Sequence, residues 1–310
     1  MRDAYVVALG IPCIDEYGEA EEWPQEGEKS IVRWAERKVG GMIPNAACVM
    51  AGMGRKTYLV TALNAGVTSE GIRRDLESWG LDLSHLIVDE RLPDMRCVII
   101  RTPRERTILV PDSSVVHYPV DEKLRKLLLG AGCVYTSMME FHRLENWEAL
   151  AGELREKGVG LVFDLETSTF ENGEDPLFRY ASLLFFNEKG MEKYAAGRDP
   201  EDCIRELLEN GTEAVAVTLG EEGCYCASGE ERVRLPGNRV EVVDTTGAGD
   251  TFNCAFTASW LAGKSLAYAA EFANAAAAHA VTVPGARGGI APPEQIEEWM
   301  RAFARERKEV

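Results

Sequence analysis

Short apolar runs separated by amphipathic helical stretches set the frame for this chain. "AYVVALGI" (4–11), "TYLVTAL" (57–63), "GCVYTSMM" (132–139), "GLVFDL" (160–165), "LLFFN" (183–187) and "AVAVTL" (214–219) read as buried strands, apolar on both faces. Between them, "NAACVMAGMG" (45–54), "SEGIRRDLESWG" (69–80), "ENWEALAGELREKG" (145–158) and "PEDCIRELLENG" (200–211) carry helical spacing. In the second of these, Ile72, Leu76 and Trp79 share one face, with a serine start and a glycine stop. Strands buried on both faces need helices above and below them. The alternating order therefore predicts an α/β fold, a three-layer αβα sandwich around a mostly parallel sheet.

Two stretches depart from this rhythm. "WPQEGEKSIVRWAERKVGG" (23–41) and "MRCVIIRTPRERTILVPD" (95–112) alternate polar and apolar residues, like exposed strands in pairs. They predict a small sheet projecting from one edge, a lid built from insertions at about 14–38 and 94–112. With no low-complexity linker, residues 1–310 are expected to form a single domain. Beyond 264 the pattern is helical: an alanine-rich stretch at 265–283 and an amphipathic one at 292–310, begun by proline.

The charge balance narrows function. With 34 basic against 51 acidic residues, the net charge of −17 repels nucleic acid and anionic membrane, so neither is an expected partner. No apolar run reaches membrane-spanning length, and the opening "MRDAYVVALGIPCIDEY" meets charge too early for a signal peptide. A cytoplasmic protein with reduced thiols is expected. Its eight cysteines are scattered, at 13, 48, 97, 133, 203, 224, 226 and 254, and only Cys224 and Cys226 are close, on one face of a strand-like run. There is no C-x-x-C and no histidine at ligand spacing, so the spacing contains no zinc motif. The histidines at 85, 117, 142 and 279 show no triad-like context.

In open α/β sheets, ligands bind beyond the carboxyl ends of the strands. Four places there carry chemistry: Asp15, "GGMIPN" (40–45), "VTLGEEG" (217–223) and "TTGAGD" (245–250). The last runs from small turn residues into an apolar helix, with Asp250 at its start. Asp250 can be read as a helix cap, or as a base beside an anion cradle made by bare backbone N–H groups.

Taken together, these stretches resemble the ribokinase-like, or PfkB, family of sugar and nucleoside kinases. "GGMIPNAACVMAGMG" (40–54) is similar to its first signature and "DTTGAGDTFNCAF" (244–256) to its second, with "VTLGEEG" and "ANAAAAHAVTVPGA" (273–286) in family order. The resemblance implies a ribokinase-like fold and ATP-dependent phosphorylation of a hydroxyl on a small sugar. Gly247, Ala248 and Gly249 would present N–H groups to the γ-phosphate, and Asp250 would take the proton from the attacking hydroxyl. Asp15, Gly41 and Asn45 match positions that hold substrate hydroxyls, and Glu140 offers a further acceptor. Thr218, Gly220 and Gly223 resemble the nucleotide side, with Asn187 and Asn274 as partners for phosphate and the adenine region. A monovalent cation, potassium, would lie at Asp244, Thr246, Ala280, Val283, Gly285 and Gly289.

The chain also departs from the family pattern. The Asn-x-x-Glu that helps organise Mg²⁺ reads Asn187-Glu188-Lys189-Gly190, leaving Glu188 or Glu192 to compensate, and "LNAGVTSEG" (63–71) lacks the usual acidic pair. There is no Walker loop, and "GAGDTF" lacks the third glycine of a dinucleotide fingerprint. A nucleoside kinase is the first alternative, with Trp23 and Trp34 available to stack on a base. A phosphosugar kinase is the second: Arg33, Arg96, Arg101, Arg104 and Arg106 lie in the inserted strands, although Met42 stands where a lysine could serve. From another class comes a ligand sensor that lost catalysis; the intact Gly-Ala-Gly-Asp argues against it and Gly190 for it. A homodimer joined through the lid is expected.

Overall fold

In the computed structural model, which describes residues 5–229 and 231–309, the apolar runs assemble into an eight-stranded sheet. The chain opens with β1 (Val6–Leu9), which Pro12 separates from β2 (Cys13–Glu19) and its partner β3 (Arg33–Gly40). There follow α1 (Met42–Gly52), β4 (Thr57–Val60), β5 (Ala62–Leu63), α2 (Val67–Ser78), β6 (Ile87–Val88), β7 (Arg96–Arg101) and β8 (Arg106–Leu109). The middle of the chain supplies α3 (Glu122–Leu129), β9 (Cys133–Thr136), the short α4 (Met138–Phe141), α5 (Trp147–Glu156), β10 (Gly160–Leu165), β11 (Leu183–Asn187) and α6 (Glu188–Ala195). It closes with α7 (Pro200–Glu209), β12 (Ala214–Thr218), the hairpin strands β13 (Cys224–Ser228) and β14 (Glu231–Leu235), then α8 (Ala248–Leu261), α9 (Leu266–Ala280) and α10 (Pro293–Glu309).

The large sheet has the order β14-β13-β12-β11-β10-β9-β1-β4. From β4 through β12 every pairing is parallel; the β12–β13 and β13–β14 pairings at the far edge are antiparallel. Parallel registration brings the strand ends Leu9, Thr136, Leu165, Asn187 and Thr218 to one edge, so the loops that follow them converge there.

The pleat sorts the core into two layers. Val7, Val134, Phe163, Leu184 and Val215 face α3, α5, α6 and α7, while Val6, Tyr135, Val162, Phe185 and Ala216 face α1, α2, α8, α9 and α10. On the second face, Ala269, Ala270, Ala273 and Ala276 of α9 are fully buried, and their small side chains let α9 lie close against α8. Among the described residues, no helix is long and apolar enough to cross a membrane.

The lid is a four-stranded sheet in the order β3-β2-β7-β8. Its strands come from the two predicted insertions, but β2 begins at Cys13 and pairs parallel with β7, so the sheet is mixed. Asp15 thus belongs to a lid strand and not to a loop after the first strand. The alternating stretch at 23–41 becomes strand only from Arg33 onward.

Phe256 of α8 packs edge-on against Phe185 of β11, with ring centroids 5.4 Å apart and the side chain fully buried. Phe256→Ala is expected to lower unfolding free energy by about 3–5 kcal/mol in a denaturant titration. A loss below ~1 kcal/mol would mean that α8 does not depend on this contact.

Candidate active site

The site begins where two loops meet at the carboxyl edge of the sheet. Asp244 joins them: one carboxylate oxygen accepts from Thr246 N–H and the other from Gly285 N–H, each at 2.9 Å. Burial opposes its charge, but these N–H groups outweigh that and hold the carboxyl below its ordinary range. Gly247 then turns the chain into α8 with φ 78°, and a Cβ there would fall 2.4 Å from the Ala286 carbonyl oxygen. Only glycine fits this junction.

The first i→i−4 bond of α8 is donated by Thr251 to Gly247. The N–H groups at Ala248, Gly249 and Asp250 precede it and form the positive end of the helix. Asp250 is half-buried and accepts a hydrogen bond from Asn45. Its carboxyl is pushed well above the usual carboxylate range, first by burial and then by the charges of Asp164 and Glu166; the Asn45 bond and the Arg287 charge act the other way. Asp164, at the end of β10, accepts from Tyr135 Oη at 2.7 Å and Asn253 Nδ2 at 2.9 Å, and burial together with Glu166 pushes it up to about 7. Nothing in the sequence pattern marked Asp164 or Glu166.

Opposite α8 stand the residues expected to grip the acceptor. Gly41 has φ 107°, and a Cβ on Gly40 would lie 2.0 Å from Asp15 Oδ2. The glycine pair therefore turns β3 into α1 and leaves room for the Asp15 side chain. Burial raises the Asp15 carboxyl, opposed by contacts from Cys13 and Cys97 and by the Arg287 charge. Asn45, one turn into α1, accepts from Arg287 Nε at 2.9 Å, which directs its amide nitrogen to Asp250.

Arg287 is the residue that the sequence reading missed. Only 8% exposed, it donates from Nη1 to Asp75 at 2.5 Å and lies over the Trp79 ring at 5.9 Å. One arginine thus ties α1, α2 and the loop after α9 together. The signal was present: a lone arginine in "PGARGG" interrupts a run of small residues. A cleft of about 670 Å³ is lined by Asp15, Asn45, Arg287, Trp79, Lys38 and Arg96.

The other expected residues fall into three groups. Thr246, Gly285, Ala280, Val283 and Gly289 gather with Asp244 around the two joined loops: Val283 N–H bonds the Ala280 carbonyl, and a Cβ on Gly289 would lie 2.4 Å from Ala280 Cα. On the nucleotide side, Thr218 ends β12, Gly220 has φ 57°, and Gly223 packs so closely on β14 that a Cβ would lie 2.1 Å from the Leu235 carbonyl oxygen. Asn187 caps α6 through Gly190 N–H at 2.7 Å, and Asn274 donates to the Pro236 carbonyl at 2.8 Å, so both amides are engaged by backbone. Glu140 is drawn away from the cleft. It is buried, accepting from Tyr118 Oη at 3.1 Å with Arg143 at 3.6 Å.

The glutamate missing at position 190 has a steric cause. A Cβ on Gly190 would sit 2.2 Å from the Leu165 carbonyl oxygen, so no side chain fits there. Glu188 and Glu192 line a different cleft, of about 460 Å³, with Tyr225 and Arg234. Trp23 and Trp34 do not line the acceptor cleft; the tryptophan that does is Trp79. Of the lid arginines, Arg96 reaches the cleft and Arg106 donates to Thr246 Oγ1 at 2.9 Å, while Arg37 and Lys38 join the cleft unforeseen.

Known proteins share this fold. The pattern described as pfkB family carbohydrate kinase matches residues 3–292. The chain is 28% identical to the ATP-dependent ribose-1-phosphate kinase of Halopiger xanaduensis over 269 residues, 84% of this chain and 86% of that one. With Bacillus subtilis ribokinase it shares 41% identity over 99 residues, which spans only 32% of this chain and 34% of the relative. Arabidopsis thaliana ribokinase, solved with ribose and ATP, superimposes with a TM-score of 0.83 at 22% identity, covering 96% of this chain and 99% of that one. The fold is thus the ribokinase fold, with a parallel central sheet and a separate small sheet. The family match from end to end of this sheet makes the chain a member of the pfkB carbohydrate kinases, ATP-dependent enzymes that phosphorylate hydroxyls of sugars and nucleosides.

Proposed function

We propose that this enzyme transfers the γ-phosphoryl group of ATP to a hydroxyl of a small sugar, with Asp250 as the general base. The observation that carries this reading is the Asp250 carboxyl in the first turn of α8, bonded to Asn45, which itself lines the cleft together with Asp15. Asp15 and Asn45 accept and donate to vicinal hydroxyls, which orients one of them toward Asp250. The raised affinity of Asp250 for a proton suits it to accept one from an alcohol near neutral pH. Gly247, Ala248 and Gly249 then offer main-chain donors to the charge that develops on the transferring group.

Asp164, at the end of β10, and Glu166, just beyond it, would be the residues that help hold Mg²⁺ brought in with ATP, and the ion's charge would offset the repulsion that both exert on Asp250. Bound there with ATP, it would neutralise phosphate charge. K⁺ would be held at the joined loops by Asp244, whose charge is retained, and by main-chain oxygens of Thr246, Ala280, Val283, Gly285 and Gly289. On the acceptor side, Arg37, Lys38 and Arg96 rim the cleft and favour a phosphorylated sugar as the second reading, the class named for the Halopiger relative. Trp79 supports a nucleoside in the same place. ADP release over a panel of pentoses, their 1-phosphates and nucleosides separates these acceptors; binding without turnover on any of them would instead indicate a sensor.

Two further assignments belong to the same reading. Ile31, Trp34, Ile108, Leu109 and Val110 are exposed on the lid, and Trp34 is 60% exposed, so a second copy is proposed to cover this surface in a homodimer. Buried thiols such as Cys48, Cys133 and Cys254 suit a reducing cytoplasm.

Asp250→Asn is expected to lower kcat by about 10²–10⁴-fold with the true acceptor. Its melting temperature should equal or exceed that of the wild type, because at neutral pH the exchange removes a carboxyl whose ionisation burial disfavours. Unchanged turnover would refute the base assignment. In the wild type, the acid limb of kcat/KM should lie above the ordinary carboxylate range. Arg287→Met withdraws a cation that favours ionised Asp250, so this limb should move to higher pH while the acceptor KM rises about tenfold. An unmoved limb would confine Arg287 to a structural role. Trp34→Glu is expected to convert the dimer to monomer in sedimentation or light scattering; a wild-type monomer at micromolar concentration would exclude the lid interface.

A further inference from the structure

We propose that Cys13, Cys97 and Asp15 form a binding site for a thiophilic divalent cation, zinc or its analogues, on the floor of the acceptor cleft. The β2–β7 pairing sets Asp15 directly opposite Cys97, and Cys13 lies two residues before Asp15 on the same strand. All three side chains therefore share one face of the lid sheet. Cys97 Sγ is 3.2 Å from Cys13 Sγ, and Cys13 Sγ is 3.2 Å from Asp15 Oδ1. The three ligand atoms all lie within 4.8 Å of one another.

Tetrahedral zinc, with metal–sulfur bonds of about 2.3 Å and metal–oxygen bonds of about 2.0 Å, needs ligand atoms about 3.5–3.8 Å apart. The two 3.2 Å contacts reach that by opening roughly 0.3–0.6 Å. A disulfide between the same cysteines does not fit as well. A diagonal pair on adjacent parallel strands has its Cα atoms about 8 Å apart. Beyond about 7 Å, a disulfide requires the backbone to move. A metal lets the two sulfurs move slightly apart from their 3.2 Å contact, whereas a disulfide must draw them to about 2.0 Å.

Donor chemistry sets the class of ion. Two thiolates and a carboxylate select zinc-like ions and reject magnesium and calcium, which take oxygen ligands. The site is thus separate from the Mg²⁺ expected at the phosphates. Both sulfurs are buried behind Asp15, whereas Asp15 itself lines the cleft, so the fourth coordination position opens toward the acceptor. Binding releases the two thiol protons to solvent and occupies the Asp15 carboxylate. The ion therefore withdraws from the acceptor one of its hydroxyl ligands. This competition rests on the acceptor reading of Asp15; metal binding itself does not.

The full-length enzyme, reduced and freed of metal, is titrated with Co²⁺ alone and followed by absorption. One equivalent is expected to produce a thiolate-to-cobalt charge-transfer band, which Zn²⁺ then bleaches. Cys13→Ser and Cys97→Ala should each abolish the band, with unchanged circular dichroism to show that the fold persists, and Asp15→Asn should weaken cobalt binding about tenfold. No band from the wild type at excess Co²⁺, or a band that survives in the Cys13→Ser, Cys97→Ala double variant, would overturn the site. In an ADP-release assay with D-ribose, Zn²⁺ should raise the apparent KM of the wild type at least tenfold more than that of Cys97→Ala. Equal inhibition of the two would overturn the competition. Because the band requires no turnover, failure of the kinase assay leaves the metal test intact.

Discussion

One carboxylate holds the functional edge of this protein together. Asp244 accepts from the loop before α8 and from the loop after α9. With those loops joined, Gly247 lies against Ala286 at the start of α8, and Arg287 is carried inward to Asn45. The proposed base, main-chain donors and hydroxyl grip all lie around that junction. It is an electrostatic contact within a strongly acidic chain, which shows how backbone dipoles locally override the net charge.

The parts of this architecture that sequence reveals are those governed by local rules. Continuous apolar runs such as 183–186, short and bounded, read as strands covered on both sides, and the start of α8 is marked by Gly247, which no other residue can replace. Asn274, a polar residue in an alanine-rich helix, announced a buried partner, but not that the partner would be the Pro236 carbonyl. Long-range geometry was not legible. Glu140 reads as a strand end, yet a short helical turn and Tyr118, 22 residues before it, draw it inside. Asp15 reads as a loop residue because Pro12 is a break, and only pairing with β7 makes it part of a strand. Arg287 and Asp164 acquire their meaning from partners more than 80 residues away.

Gly190 shows why a departure from a family pattern need not signal decay. The glycine is required by the Leu165 carbonyl beside it, at the end of the same strand that carries Asp164. Packing that excludes a side chain at position 190 thus comes from the strand end that carries Asp164, with Glu166 just beyond it.

The bond from Arg106 to Thr246 links the projecting sheet directly to the turn that precedes α8. Any swing of the lid away from the body must break this latch, and any ligand that draws the lid down must help to form it. In the proposed reading, lid closure over an acceptor is thereby tied to the turn that would cradle phosphate. A lid swung away would leave that turn with one tether fewer, which would disfavour transfer of a phosphoryl group to water.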